Sequence, residues 1–211
     1  PSNGSVEQDV ETGELIYTPD DNFFGTDTFS YVISDGELTS EATVTVTVNS
    51  VNDRPEANDD RFATDEDTAI NDNLIFGDTG IGQATPDFDV DGDQLQIVEV
   101  RDSDGTVLQL TNGNVLPEGG QVAIGADGAF FYDPTFNGAL DRLGADETEL
   151  VTLTYVVSDG ELTDEATVEI RVTGVNDDPM AADDGGEAFT TDEDTAFTTG
   201  DVLANDQDVD S

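Results

Sequence analysis

Short acidic passages occur twice in this chain of 211 residues, and the copies keep their order. VNDRP at residues 51–55 returns as VNDDP at 175–179, 124 residues later, and SDGEL at 34–38 returns at 158–162 with the same offset. The pair DD at 59–60 returns at 183–184, and TDEDTA at 64–69 returns at 191–196. Recurring blocks in a fixed order indicate a tandem array of similar modules.

The repeat predicts where the modules begin and end. Residues 1–6 match residues 117–122, so residues 1–53 are expected to be the C-terminal half of one module. Residues 54–178 are then a complete module, and residues 179–211 are the N-terminal part of a third. Two segments depart from the pattern, an insertion at 77–85 and an extension at 185–187. We expect the chain to be an internal piece of a longer protein, with its targeting segment elsewhere.

Strands dominate the pattern of apolar residues. Residues 43–48 and 167–172 alternate apolar and polar side chains, which is typical of strands with one buried face. Two further apolar segments, 29–33 and 153–157, lead into Asp-Gly pairs and predict two hairpins. We also predict strands at 95–100, 106–110, 121–124 and 129–132, and a short helical turn or loop at 138–146.

Strands at this spacing predict an all-β fold of tandem antiparallel β-sandwiches of the immunoglobulin or cadherin kind. The predicted core consists of Leu95, Ile97, Val107, Phe131, Leu153, Tyr155, Val168 and Ile170.

Charge strongly constrains the function. The chain has fifty acidic residues and five basic ones, all arginine, which gives a net charge of -45. Two carboxylates ~4 Å apart repel by about 1 kcal/mol in water, and many such pairs would exceed a typical stability of roughly 5–15 kcal/mol. Divalent cations, high salt or wide spacing must therefore relieve the repulsion. Disorder is the alternative for such a composition, but the alternating strand pattern argues against it.

The residue inventory excludes several classes of function. Nucleic acid and anionic membranes are unfavourable partners for so negative a chain, and no apolar run approaches the ~20 residues of a membrane span. Without histidine, cysteine or lysine, the usual nucleophile–base pairs cannot be built, so we predict that the chain is not an enzyme. The absence of cysteine does not settle the compartment.

Two of the three acidic clusters lie at and after the predicted joint between modules. Calcium binds 6–8 oxygen atoms, which carboxylates and carbonyls supply, and Pro55 stiffens the linker. The joint cluster, for which a solvated linker is the alternative, contains Asn52, Asp53, Asp59 and Asp60 and recurs as Asn176, Asp177, Asp183 and Asp184. The second cluster is TDED at 64–67, in which we favour Glu66, and Glu193 in the repeat, as ligands; here the alternative is turn chemistry.

The third cluster resembles the beginning of an EF-hand loop. Asp87, Asp89, Asp91 and Gly92 match positions 1, 3, 5 and 6 of that loop, but Val98 occupies position 12, where glutamate is required. A strand is predicted to follow, so this is not an EF-hand, although the alternating aspartates could wrap one ion. Asp93 adds a carboxylate, and the repeat supplies Asp206, Asp208 and Asp210, with Ser211 at the glycine position. An acidic hairpin turn is the alternative.

The ordered blocks resemble bacterial cadherin-like tandem repeats, including the VCBS-type modules of giant RTX adhesins. The resemblance covers the whole chain and implies a calcium-rigidified extender. For the first joint it implies Asp53, Asp59 and Asp60 as ligands, with Glu66 from the next module. For the second it implies Asp177, Asp183, Asp184 and Glu193. Asp35 and Asp159, in the SDGEL hairpins, are expected to face the same joints.

We therefore expect a structural spacer in a secreted adhesin of the bacterial cell surface, with calcium and the neighbouring repeats as partners and extracellular glycan bound by other domains. Calcium would stiffen the joints with an affinity on the order of 10⁻⁴–10⁻³ M. The alternative is a carbohydrate-binding module attached to an extracellular polysaccharide-active protein. Sugar platforms usually need exposed tryptophan or tyrosine, and this chain has no tryptophan and four tyrosines.

Overall fold

The computed structural model describes residues 1–77, 84–184 and 189–210. This part of the chain contains strands and one short 3-10 helix, at Phe136–Gly138. None of its helical segments is long and apolar enough to cross a membrane. The strands are β1 (Gly4–Gln8), β2 (Leu15–Pro19), β3 (Gly25–Ser34), β4 (Thr39–Val48), β5 (Asp60–Asp65), β6 (Ile70–Asn73), β7 (Gln96–Arg101), β8 (Asn114–Val115), β9 (Gln121–Ile124), β10 (Ala129–Asp133), β11 (Thr148–Ser158) and β12 (Thr163–Thr173).

The chain forms two compact units. The first contains Pro1–Arg54 and Asp89–Gln94, and the second contains Pro55–Phe88 and Leu95–Ser211. In the first unit, β1 pairs with β2 and β3 pairs with β4, both antiparallel. Apolar side chains of this unit remain on its surface: Ile33 is 61% exposed, whereas its counterpart in the next repeat, Val157, is fully buried.

The second unit contains two four-stranded sheets, in the orders β6-β10-β9-β8 and β5-β12-β11-β7. Their apolar residues form one core, in which Tyr132, Tyr155, Leu153, Val168 and Ile170 are almost completely buried. Full burial of each of the aliphatic side chains contributes about 1.5–3 kcal/mol relative to an exposed one. The two sheets are therefore the layers of a β-sandwich around a shared core.

One pair of strands departs from the antiparallel pattern. β5 runs parallel to β12, with Asp60 beside Val168 and Asp65 beside Thr173. The other registers of the second unit are antiparallel. The parallel pair matters for the site, because the carboxyl ends of β5 and β12 lie at the same edge of the sheet.

The structure confirms the all-β fold and both Asp-Gly hairpins. The predicted strand at 106–110 is wrong: Val107 forms only an isolated bridge with Arg101 and is 58% exposed. The side chain of Asp102 accepts hydrogen bonds from the N–H groups of Asp104 and Thr106 and closes a turn there. The module boundaries at 53/54 and 178/179 stay predictions.

The predicted core is correct except at Val107 and Phe131. Phe131 is half-buried, and Phe130 and Tyr132 face the core instead. Three aromatic residues follow one another here, so the alternation of side chains in a strand fits either choice of face.

Candidate metal centre

Glu66 follows the last residue of β5. Because β5 and β12 are parallel, this position lies beside the end of β12, and the Glu66 N–H donates to the Thr173 carbonyl at 3.1 Å. The chain beyond Thr173 leads into the second joint, at residues 175–179. The backbone of one strand thus fixes Glu66 against the start of the joint.

The Glu66 side chain is 2% exposed. Its Oε1 accepts a hydrogen bond from the Val175 N–H at 2.7 Å, whereas its Oε2 is buried without a hydrogen-bond partner. A buried carboxylate that is only partly satisfied is costly, because no water replaces the missing bond. Glu66 therefore offers one unused oxygen atom in the interior of the joint.

Asp177 and Asp210 meet at the same place. The Asp177 N–H donates to Asp210 Oδ2 at 2.8 Å, and Asp210 Oδ1 is buried without a partner. Asp208 supports this arrangement by accepting the Asp210 N–H at 3.0 Å. Glu66, Asp177 and Asp210 each contribute a carboxylate oxygen to a group whose members lie within 4.8 Å of one another.

These carboxylates oppose one another electrostatically. Burial raises the pKa of Glu66, and the charges of Asp177, Asp67 and Asp210 raise it further against the lowering effect of the Val175 N–H. Burial likewise raises the pKa of Asp177, followed by the charge of Asp210. Both shifts mean that the ionised group is disfavoured unless positive charge is nearby.

The donor set fits calcium. Two buried oxygens without partners and a third carboxylate within reach supply only hard oxygen ligands, which Ca²⁺ prefers, and part of the 6–8 that it binds. Glu66, Asp177 and Asp210 are the residues that would hold the ion.

A related arrangement lies in the first unit. The Asp53 N–H donates to Asp91 Oδ2 at 2.7 Å, as the Asp177 N–H does to Asp210, and the Asp91 N–H donates to Asp89 Oδ1 at 2.8 Å. Carboxylate oxygens of Asp89, Asp91 and Asp93 also lie within 4.8 Å of one another. The hydrogen bonds around the joint thus recur together with the sequence.

A family model for the bacterial cadherin-like domain matches residues 52–174, more than half of the chain. The chain belongs to the bacterial cadherin-like domain family. A second family model, for a bacterial Ig domain, matches residues 1–47. No curated protein sequence matches the chain. Modules of these families are typically extracellular and non-catalytic, and cadherin-like domains generally bind calcium.

Solved structures similar to this cadherin-like chain include animal cadherins and polysaccharide hydrolases. Human protocadherin-24 EC1-2 is 14% identical over 82% of this chain and 77% of its own, with a TM-score of 0.41. Protocadherin gamma B2 domains 1-5 are 16% identical over 83% and 32%, with a TM-score of 0.41. An endo-fucoidan hydrolase of glycoside hydrolase family 107 is 19% identical over 83% and 22%, with a TM-score of 0.33. The chain thus spans less than a quarter of that hydrolase.

Several other predicted ligands lie outside the two groups of converging carboxylates, and each accepts a hydrogen bond from a backbone N–H group. Asp59 Oδ1 accepts the Thr167 N–H at 2.8 Å, and Asp60 is fully buried, with Oδ1 accepting the Thr85 N–H at 2.7 Å. Asp87 accepts the Asn58 N–H at 2.7 Å. In the third repeat, Asp206 accepts the Ala182 N–H at 2.8 Å.

The expected grouping of Glu66 with Asp59 and Asp60 is wrong. Asp59 and Asp60 stand at the start of β5 and Glu66 follows its end, so the strand, at about 3.3 Å per residue, keeps them apart. Glu66 belongs to the second joint instead, with Asp177 and Asp210.

The aspartates of the SDGEL blocks close turns. Asp35 Oδ1 accepts the N–H groups of Glu37 and Leu38, and Asp159 Oδ1 accepts those of Glu161 and Leu162. The Leu38 N–H and then the Glu37 N–H lower the pKa of Asp35. These bonds explain why aspartate recurs at both turns, and the expectation that the two residues face the joints stays a prediction.

The remaining predicted ligands lie outside both groups. Asp183, Asp184 and Glu193 are exposed and belong to neither of the two converging groups in the described residues. Ser211, residues 185–187 and most of the insertion at 77–85 lie outside the described residues. Sequence reasoning placed Tyr155 in the core but missed its hydroxyl, which reaches Asp87. The recurrence of a tyrosine three residues before each SDGEL block was the available signal.

Proposed function

We propose that this cadherin-like chain is a calcium-stiffened spacer in a large secreted adhesin of the bacterial cell surface. One observation carries the proposal: Glu66, Asp177 and Asp210 come from three separate segments and bring carboxylate oxygens within 4.8 Å of one another, and both Glu66 and Asp210 have an oxygen that is buried without a partner. A solvated acidic linker has no physical reason to bury unpaired carboxylate oxygens.

Each residue has a distinct part in this function. The Glu66 backbone is tied to β12 through Thr173, so its carboxylate is fixed to the body of the complete module. Asp177 belongs to the joint, and Asp210 comes from the repeat that follows. Bound calcium would supply the positive charge that lets these three groups share one position. Without that charge, their repulsion favours separation of the segments and a more flexible joint.

The chemistry of the chain favours calcium over transition metals. Histidine and cysteine, the usual ligands of zinc and copper, are absent from the sequence. Extracellular calcium-binding modules typically have affinities of roughly 10⁻⁴–10⁻³ M, which suits a joint that is occupied outside the cell. The neighbouring repeats would be stiffened in the same way and would carry a distal glycan-binding domain away from the surface. The carbohydrate-binding alternative stays a prediction.

Small-angle scattering on the full 211-residue chain tests the proposal. We expect the maximum dimension and the thermal midpoint to increase when calcium replaces a chelator. Glu66→Gln should lose part of both increases, because it removes one charge from the joint and keeps the shape of the side chain. Glu161→Gln, at an exposed turn, is the matched control and should behave as the parent chain does. If chelation leaves both quantities of the parent unchanged, the spacer proposal is wrong.

A further inference from the structure

A second acidic cluster lies inside the second unit, at the opposite end of β5 from Glu66. Asp60 is fully buried and Asp87 is 7% exposed. The hydroxyl of Tyr155, whose side chain is fully buried, reaches this cluster from β11. The sequence predicted a joint site for Asp60 and an EF-hand-like loop site for Asp87, and the structure buries both side chains in the second unit.

Oxygen atoms outnumber the available protons in this cluster. The Tyr155 hydroxyl lies 3.0 Å from the Asn58 carbonyl and 3.1 Å from each carboxylate oxygen of Asp87, but it has one proton to donate. Backbone N–H groups of Thr85 and Asn58 each satisfy one oxygen, on Asp60 and Asp87 respectively. Asp60 Oδ2 is buried without any hydrogen-bond partner.

Hydrogen bonds from the Thr85 and Asn58 N–H groups and from the Tyr155 hydroxyl offset only part of the cost of burying the two carboxylates. Burial raises the pKa of Asp60 to about 7, and the charges of Asp87 and Asp72 add to this effect. Burial raises the pKa of Asp87 to about 6, and the charge of Asp164 contributes. Ionised groups in such surroundings require either a proton or a cation.

We propose that Asp60, Asp87 and Tyr155, together with the Asn58 carbonyl, form an interior calcium site that is separate from the joint. Carboxylate, phenol and carbonyl oxygens make a hard donor set, and the three side chains are buried, which leaves little room for water. That suits Ca²⁺ better than Mg²⁺, which keeps several of its waters. The inference does not depend on the spacer function, since a cation here would hold the start of β5 and residues 85–87 to β11 within one module.

The two partial modules carry the corresponding residues between them, the tyrosine in one and the aspartates in the other. Asp184 and Asp206 correspond to Asp60 and Asp87, and Tyr31 corresponds to Tyr155. The Ala182 N–H donates to Asp206 at 2.8 Å, as the Asn58 N–H donates to Asp87 at 2.7 Å. This recurrence is what an interior site in each complete module of the array would require.

Terbium luminescence tests the position of the ion. Tb³⁺ occupies oxygen-rich calcium sites and emits when a nearby tyrosine is excited, and the absence of tryptophan makes tyrosine the sensitiser in this chain. We expect a calcium-displaceable component of the emission that Tyr155→Phe removes. Tyr132→Phe is the matched control, because Tyr132 is equally buried and also donates to a backbone carbonyl, that of Gly119. Emission that is the same in all three proteins would overturn the proposal.

Counting bound calcium by equilibrium dialysis separates this site from the joint. The Asp60→Asn variant should bind one ion fewer than the parent chain. Adding Glu66→Gln to it should still reduce the calcium-dependent increases in the maximum dimension and the thermal midpoint. Glu66→Gln should in turn keep the Tyr155-dependent emission. If Asp60→Asn binds as many ions as the parent and gains stability equally in calcium and chelator, the two aspartates share a proton and the site is not a cation site. If Asp60→Asn does not fold, the Tyr155→Phe comparison decides.

Discussion

Aspartate has several structural roles in this chain, and hydrogen-bonding partners distinguish them. At Asp35 and Asp159, one oxygen accepts two backbone N–H groups of a tight turn. At Asp210 and Asp60, one oxygen accepts a backbone N–H and the other is buried without a partner. The first kind of aspartate is satisfied by its own loop, and only the second kind calls for a cation.

Replacing Asp159 by alanine tests this distinction at the scale of one residue. We expect a loss of about 1 kcal/mol in the free energy of unfolding, since two turn N–H groups lose their acceptor. The loss should be equal in calcium and in chelator, and the number of bound ions should not change. Glu161→Ala, in the same turn, serves as the control for urea denaturation. A calcium-dependent loss at Asp159 would show that this carboxylate serves a joint after all.

At the scale of elements, the parallel pairing of β5 with β12 decides which acidic residues meet. It places Glu66 beside residues 174–175, more than 100 positions later in the sequence. The two hairpins could be predicted, because Asp-Gly pairs between alternating segments have a local cause. β5 could not, because its sequence DRFATD is mostly polar, and a parallel partner so distant leaves no local pattern. The recurring blocks were enough to predict an acidic joint. Which acidic residues meet there depended on the pairing of β5 with β12.

Ile170 tests the importance of β12 as the strand between β5 and β11. Its side chain is fully buried and it lies beside Phe62 and Val151 on the neighbouring strands. Ile170→Ala should lower the free energy of unfolding by about 2–5 kcal/mol, as large-to-small substitutions in packed cores do. The measurement is urea denaturation in excess calcium, which keeps the joint constant. Leu150→Ala, on the same sheet and 53% exposed, should change it much less, and equal effects would contradict this account of the core.

At the scale of the whole molecule, calcium and monovalent salt both act on the net charge of -45, but they act at different places. Monovalent salt shortens the Debye length from about 10 Å at 0.1 M to about 3 Å at 1 M, so it screens repulsion between exposed carboxylates everywhere on the chain. It acts weakly on buried groups such as Glu66 and Asp60. Site-bound calcium should act most strongly where salt cannot.

This difference predicts how the thermal midpoint responds to each ion. In chelator, sodium chloride should raise the midpoint by screening the surface, yet it should not reach the value that millimolar calcium gives at low salt. Adding calcium at about 1 M sodium chloride should therefore still raise the midpoint, and Glu66→Gln should reduce that residual rise. Magnesium at the same concentration controls for the divalent charge. If high salt alone reproduces the full effect of calcium, the carboxylates act only as a diffuse charge, and specific coordination at the joint is not needed for stability.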